Sequence, residues 1–352
     1  VAPACMFSTS NGRRVAVRTH TSTRVSSRIP SRALPVAAVA VAAALTLSAC
    51  GGGSSDPDAT ASISLQNCGR TVTLDGPAER AVTVSQGATE TALSIGAEDR
   101  MVGTAYLDDV IAPQWQDAYA TIPVIEESDY PSREALLETR PDLVLSSYGS
   151  AFDEKAIGSQ DSLADVGVAS YVSPFGCADK SLRAPAEWES ISGEITDYGV
   201  LFGRGAEAAA VVEQQDETLT AVRSAASGAG KSIFWYDSGT DTPYVGANAG
   251  GPQLIIDAVG ATNVFAGLDG SWADGSWETV LSANPDVIVL ADASWDTADQ
   301  KKAYLRSDPA LKDLTAVRED RFVVLPFSTT TPGPRLIDGA ATLSDQLAGE
   351  RG

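Results

Sequence analysis

The chain has 352 residues, 46 acidic against 25 basic side chains, and a formal net charge of −21 at neutral pH. Six of the basic residues fall within positions 1–49, which hold no acidic one, so the remainder carries 19 basic and 46 acidic residues, a net charge near −27. That balance argues against a nucleic-acid partner, because phosphate binding needs a basic face. The single histidine, His20, leaves everything downstream without Ser-His-Asp or Cys-His machinery and without a His-bearing zinc site.

Residues 1–49 read as a secretion signal, with a basic start and a short apolar run from Ala33 to Leu47. That run is short for a membrane span of about 20 residues, which disfavours a single-pass anchor. Leu47-Ser48-Ala49-Cys50 resembles the lipobox of bacterial lipoproteins, where cleavage leaves the cysteine, here Cys50, as a lipid-modified N-terminus. Residues 50–61, with Gly51-Gly52-Gly53-Ser54-Ser55-Asp56-Pro57, then form a flexible tether with nothing to pack. The expectation is an extracytoplasmic chain, lipid-anchored to the outer face of a bacterial cytoplasmic membrane.

Beyond Cys50 only Cys68 and Cys177 remain, an even pair in an oxidising compartment. A disulfide between them would stabilise the fold by roughly 4–5 kcal/mol on the chain-entropy account. Two buried free thiols are the alternative.

The mature part opens with SISLQNCGRTVTL, alternating apolar and polar residues around Asn67-Cys68-Gly69, a β-hairpin pattern. Strands and helices alternate thereafter, as in parallel α/β sheets. In 62–185 the predicted strands are Ala81–Val84, Val102–Gly103, Leu143–Leu145 and Ala169–Val172. In 227–352 they are Ile233–Tyr236, Asn263–Phe265, Val287–Leu290 and Phe322–Leu325. Between them, 186–226 has no strand character. A helix over Ala186–Phe202 is interrupted at Gly203 and Gly205, and a long one follows over Ala206–Ala225. The predicted fold is two similar α/β lobes with mainly parallel sheets, joined by one long backbone helix.

The similarity of the lobes is read from a repeat. SREALLETRPDLVL at residue 132 returns at residue 276 as SWETVLSANPDVIVL. Ser132 matches Ser276, Glu134 matches Glu278, Leu137 matches Leu281, and Pro141-Asp142 matches Pro285-Asp286. Each copy predicts a helix opening at a serine cap, stopped before proline, and followed by a buried strand. Chance competes with this reading, since such helices are common, but the ordered identities favour a duplicated unit.

SGAGKS, residues 227–232, has the tail of a phosphate-binding loop but fails as one. Ala225 stands where the first glycine is required, and the flanking strand and helix are in the wrong order. No G-x-S-x-G elbow is present, and no carboxylate spacing marks a glycosidase pair. What remains lies where strands end, the place at which ligands gather in parallel sheets. There stand Ser85 and Gln86, Tyr148, Phe175, Tyr236 and Asp237, Trp295, and Phe327. Trp272 and Trp277 fall near other tips of the second lobe, and Arg335 follows STTTPGP as a candidate clamp for an anionic group. Small hydroxyls interleaved with aromatics suit a cleft that stacks on a bulky or planar ligand. For each tryptophan taken alone, core packing competes with that role.

NCGRTVTLDGPAERAVTVSQGATETALSIGAEDRMVGT, SREALLETRPDLVLSS, YGVLFGRGAEAAAVVEQQ and SWETVLSANPDVIVL together resemble the solute-binding proteins of ferric-siderophore and cobalamin ABC importers. The resemblance runs from about residue 62 to residue 347. It implies a monomer with no catalysis, no cofactor and no resident metal, holding a small molecule between its lobes. It also implies delivery to a permease dimer with its ATPase, docked through one glutamate per lobe, at the positions of Glu134 and Glu278. A glutamate in a first helical turn gains from the helix dipole without any partner, which is the alternative at each position. The ligand implied is a ferric siderophore or related metal chelate. WYDSGTDTPYVGANAGGPQLIIDAVGATNVF and RFVVLPFSTTTPGPR resemble a branch proposed to take up a deazaflavin coenzyme precursor, the alternative ligand. A secreted enzyme using carboxylates is the alternative of another class.

Overall fold

The computed structural model describes residues 62–349. The secretion signal expected over 1–49, and Cys50 with the tether expected to follow it, lie outside the described residues, as do residues 350–352. Among the described residues no helix is long and apolar enough to cross a membrane.

Strands β1 (Ile63–Asn67) and β2 (Arg70–Leu74) form an antiparallel hairpin. Its two turn residues, Cys68 at φ 48° and Gly69 at φ 76°, are both left-handed, the backbone that matches the twist of paired strands. The first sheet follows: β3 (Ala81–Val84), β4 (Met101–Ala105), β5 (Val124–Glu126), β6 (Leu143–Ser146) and β7 (Ala169–Val172). All five run parallel in the order β5-β4-β3-β6-β7. Helices α1 (Gln86–Ser94), α2 (Gln116–Tyr119), α3 (Arg133–Glu138) and α4 (Gln160–Ala164) occupy the connections. The hairpin is fastened to the sheet by Asn67. Its amide donates to the Val172 carbonyl at 2.7 Å and its Oδ1 accepts the Val172 N–H at 2.9 Å. At the turn, Cys68 is disulfide-bonded to Cys177, with Cα atoms 5.4 Å apart.

The connector is two helices, α5 (Trp188–Leu201) and α6 (Gly205–Ala225), packed on each other. Gly199 permits the approach, since a Cβ there would lie 2.5 Å from the Ala208 side chain. α5 packs on the first lobe, through β1 and α1. The 21 residues of α6 run about 31 Å and carry the chain to the second lobe.

The second lobe is built on β8 (Ser232–Ser238), β9 (Tyr244–Gly246), β10 (Thr262–Asn263), β11 (Trp272–Asp274), β12 (Val287–Asp292) and β13 (Phe322–Pro326). The order is β11-β9-β8-β12-β13, with β10 also paired to β8. β8, β10, β12 and β13 are parallel, whereas β9 is reversed and pairs antiparallel with both β8 and β11. Its helices are α7 (Gly250–Ala258), α8 (Trp277–Ala283), α9 (Ala298–Ser307), α10 (Thr315–Arg318) and α11 (Leu336–Gly349). α11 and α7 pack against α6. The mixed α/β architecture with mainly parallel sheets is the one expected from the sequence.

Three strands were not expected: β5, β9 and β11. Each has three residues, VIE, YVG and WAD, too few to show a period. β10 stops at Asn263 rather than continuing to Phe265, for a local reason. The Asn263 side chain accepts the Phe265 N–H at 2.9 Å and donates to the Gly246 carbonyl at 3.1 Å, which turns the chain out of the strand.

The repeated phrase does the same structural work twice. Ser132 Oγ accepts the Ala135 N–H and Ser276 Oγ accepts the Thr279 N–H, capping α3 and α8. Each helix ends before its proline on a left-handed residue, Arg140 at φ 50° and Asn284 at φ 43°. The aspartate after each proline then grips the start of the central strand. Asp142 accepts the Glu79 N–H at 2.7 Å and the Arg80 N–H at 3.1 Å, just ahead of β3. Asp286 accepts the Ser232 N–H at 2.7 Å, at the start of β8. β6 therefore enters beside β3 as β12 enters beside β8.

Candidate functional site

In the first sheet the chain leaves β3 for β4 and β5 on one side, then returns to β6 on the other. The second sheet reverses in the same way between β8 and β12. Such reversals open a crevice beyond the strand ends. The two crevices merge into one cleft of about 1160 Å³ between the lobes.

On the first-lobe wall, Ser85 ends β3 at φ 100°, a strained conformation for a residue with a Cβ. Its Oγ accepts the Ser147 N–H at 2.9 Å, and Ser147 Oγ accepts the Ala88 N–H at 3.1 Å in the first turn of α1. These bonds lock the ends of β3 and β6 together. Ser85 is thus a buried brace behind the wall and does not line the cleft, contrary to expectation. Gln86, Tyr148 and Phe175 do line it. Tyr148 is 39 % exposed, its ring presented to the opening.

Asp237, Trp272, Trp295 and Phe327 line the second-lobe wall. Trp295 is 55 % exposed and stands edge-on to Phe327, ring centroids 4.9 Å apart. A tight turn over Ala293–Asp296 holds it, and the buried Lys301 underpins that turn. Lys301 Nζ donates to the Ala291 carbonyl and, at 2.7 Å, to the Asp296 carbonyl. Trp272 Nε1 is buried and has no hydrogen-bond partner among the described residues.

Two further expectations are corrected. Tyr236 is 1 % exposed; its hydroxyl donates to the Gly239 carbonyl at 2.9 Å and its ring packs on Trp277 at 5.4 Å. Strand alternation turns Tyr236 into the core and its neighbour Asp237 toward the cleft. Trp277 shares that core, with Nε1 donating to the Thr240 carbonyl at 2.7 Å. Arg335 is not an open clamp either. It is buried, and its Nη1 reaches Glu90 Oε1 of the first lobe at 3.2 Å, the Val110 carbonyl at 3.3 Å, and Ser328 Oγ.

That guanidinium belongs to a polar bridge between the lobes which sequence reasoning missed. Asp109 of the first lobe accepts both the N–H and the hydroxyl of Ser328 in the second. Glu90 also accepts the Ala112 N–H at 3.0 Å. Burial pushes the Glu90 carboxyl up to about 7, with Arg335 and the Ala112 N–H pulling the other way. The one sequence signal for Glu90 is a lone charge in an otherwise uncharged helix, QGATETALS.

Glu90, Asp108, Asp153 and Asp237 are the acidic residues of the lining, and Lys180 and Arg183 the basic ones. Among the described residues no group of three or more His, Cys, Asp or Glu is placed to hold a metal ion. Glu134 and Glu278 lie away from the cleft, both exposed in the first turns of α3 and α8. Ser276 Oγ donates to Glu278 at 2.6 Å and holds that carboxyl below its ordinary value.

Two α/β lobes meeting around an aromatic-walled cleft define a two-lobed binding protein. The chain belongs to the periplasmic binding protein family, which matches it over residues 82–329. A periplasmic binding protein from Veillonella parvula is 29% identical, with a TM-score of 0.71 over 82% of this chain and 98% of its own. The structure of an ABC-type Fe3+-hydroxamate transport system from Saccharomonospora viridis is 26% identical, with a TM-score of 0.66 over 81% of this chain and 98% of its own. A cobalamin-binding protein of Halobacterium salinarum is 22% identical over 285 residues, 78% of this chain and 70% of that protein.

Proposed function

We propose that this chain is the extracytoplasmic receptor of an ABC importer, capturing a ferric siderophore or related bulky metal chelate between its lobes. The observation that carries the reading is the cleft itself, large enough for such a ligand and walled by aromatics from both lobes. Tyr148 and Phe175 offer ring faces and edges from one side, Trp295 and Phe327 from the other. In this reading the iron ion arrives inside its own chelate, which supplies the metal ligands. The name of the Saccharomonospora relative points to ferric hydroxamates, that of the Halobacterium relative to a corrinoid. A deazaflavin coenzyme precursor is the alternative ligand.

In this reading the protein turns nothing over. It acts as a monomer tethered by lipid at Cys50, and Glu134 and Glu278 present one exposed carboxylate per lobe to a permease dimer of matching symmetry. Mass spectrometry of ligand co-purified with the native protein tests the ligand class directly. Tryptophan fluorescence should saturate with at least one of a ferric hydroxamate, cobalamin and a deazaflavin. No response to any of the three, together with no co-purified small molecule, would overturn the receptor reading.

A further inference from the structure

The loop after β7 supplies much of the first-lobe wall, and it is held from outside the sheet. Cys177 lies in it, bonded to Cys68 at the turn of the N-terminal hairpin. The loop also packs backbone to backbone on the end of β6. The Gly149 N–H donates to the Gly176 carbonyl at 2.8 Å. A Cβ on Gly176 would lie 1.8 Å from the Ser147 carbonyl oxygen, and one on Gly149 would lie 2.8 Å from the Ala178 nitrogen. Only glycines permit this contact, and Tyr148 sits between the two strand-end residues that make it.

The same loop carries Lys180 and Arg183, the only cations of the cleft lining among the described residues. Arg183 Nε donates to the Cys177 carbonyl at 2.8 Å, so the disulfide half-cystine itself orients that guanidinium. Neither cation has a carboxylate within ion-pair distance among the described residues. Leu182 lies over the hairpin turn, where a Cβ on Gly69 would meet its Cδ1 at 2.9 Å. The hairpin is thereby fastened twice, at Asn67 to β7 and at Cys68 to this loop.

We propose that the N-terminal hairpin and its disulfide are a positioning element of the binding cleft, setting the wall that recognises an anionic group of the ligand. Reduction of Cys68–Cys177 frees the loop, displaces Lys180 and Arg183, and loosens the support under Tyr148. The proposal rests on the receptor reading for its ligand, and deepens it: the favoured substrate is an anionic chelate rather than a neutral one.

The test compares wild type, a Cys68→Ser/Cys177→Ser variant and a Lys180→Gln/Arg183→Gln variant, each in the full chain. The probes are an anionic ferric tricatecholate and a neutral ferric trihydroxamate, followed by tryptophan fluorescence. Amide hydrogen exchange is read at Gly149 and across residues 176–184, with β12 as internal reference. The cysteine variant should exchange about ten-fold faster at those amides, with β12 unchanged, and should bind the anionic probe about ten-fold more weakly. The Lys180/Arg183 variant should lose about ten-fold in binding of the anionic probe and much less for the neutral one. Wild-type exchange in the cysteine variant, or equal losses for both probes in the Lys180/Arg183 variant, would overturn the proposal. If neither probe binds wild type, the receptor reading fails for these chelates, and the exchange measurement still decides whether the staple positions the wall. Should the cysteine variant not fold, exchange is measured on folded wild type after mild reduction.

Discussion

Glu90→Gln is the most direct probe of the bridge between the lobes. The side chain is 1 % exposed, and burial raises its carboxyl from an ordinary 4.5 to about 7 even with Arg335 beside it. The folded protein therefore holds this proton more tightly than the unfolded chain does. The resulting stability is present in full below the unfolded value and is lost as pH climbs through about 7. Between pH 5 and pH 8 the loss amounts to about 2–3 kcal/mol. Glutamine mimics the protonated acid, keeps an oxygen for the Ala112 N–H, and has nothing to ionise. The attraction of Arg335 for the ionised carboxylate is already contained in that raised value, so any difference between glutamine and the protonated acid moves only the offset. Urea unfolding at pH 5, 6.5 and 8 should show wild type losing about 2–3 kcal/mol relative to the variant across the series. Glu194, buried and raised to about 7 in the same way, contributes equally to both proteins and cancels. Parallel stability curves would refute the reasoning, because they would mean that Glu90 ionises as freely folded as unfolded.

Alanine at Tyr148 or Trp295 should weaken ligand binding by about 0.5–1.5 kcal/mol each, measured by calorimetry, with unfolding midpoints near wild type because both rings are exposed. Lys301→Met should loosen the turn bearing Trp295 by leaving two carbonyls without their donor, costing about 1–3 kcal/mol of stability and broadening the tryptophan emission. Reversing charge at Glu134 and Glu278 together should abolish uptake in cells while ligand affinity stays intact, and each single change should leave partial uptake. Normal transport by the double variant would return both glutamates to a helix-dipole role.

Much of this architecture was readable because parallel strands buried on both faces are written as uninterrupted apolar runs, as in Leu143–Leu145 and Val287–Leu290. The repeat was legible because its serines, prolines and aspartates act on backbone within a few residues or on the adjacent strand start. The cleft was less so. Asp237 and Tyr236 are neighbours, and only the register of β8 decides which one faces the ligand and which the core. Ser85 and Arg335 were singled out as contacts, yet each is consumed by a partner distant in the chain, Ser147 and Glu90 respectively. Glu90, Asp109 and Ser328 were missed for the same reason: a bridge spanning more than two hundred residues leaves no local pattern.

The 21 residues of α6 have a consequence that is a matter of phase. The helix packs on α5 at one end and on α7 and α11 at the other, and Gln215 along it donates to the Pro334 carbonyl at 3.0 Å. Each residue of an α-helix advances about 1.5 Å and turns about 100°. Inserting one residue between the two sets of contacts would therefore swing the second lobe about the helix axis by more than a quarter turn. Glu90 could not then meet Arg335, and the walls bearing Tyr148 and Trp295 would no longer oppose each other. Adding four residues would restore the facing to within about 40°, but at a separation about 6 Å greater. Surface loops absorb insertions of this size readily. In α6 the count of residues is itself part of the cleft's geometry.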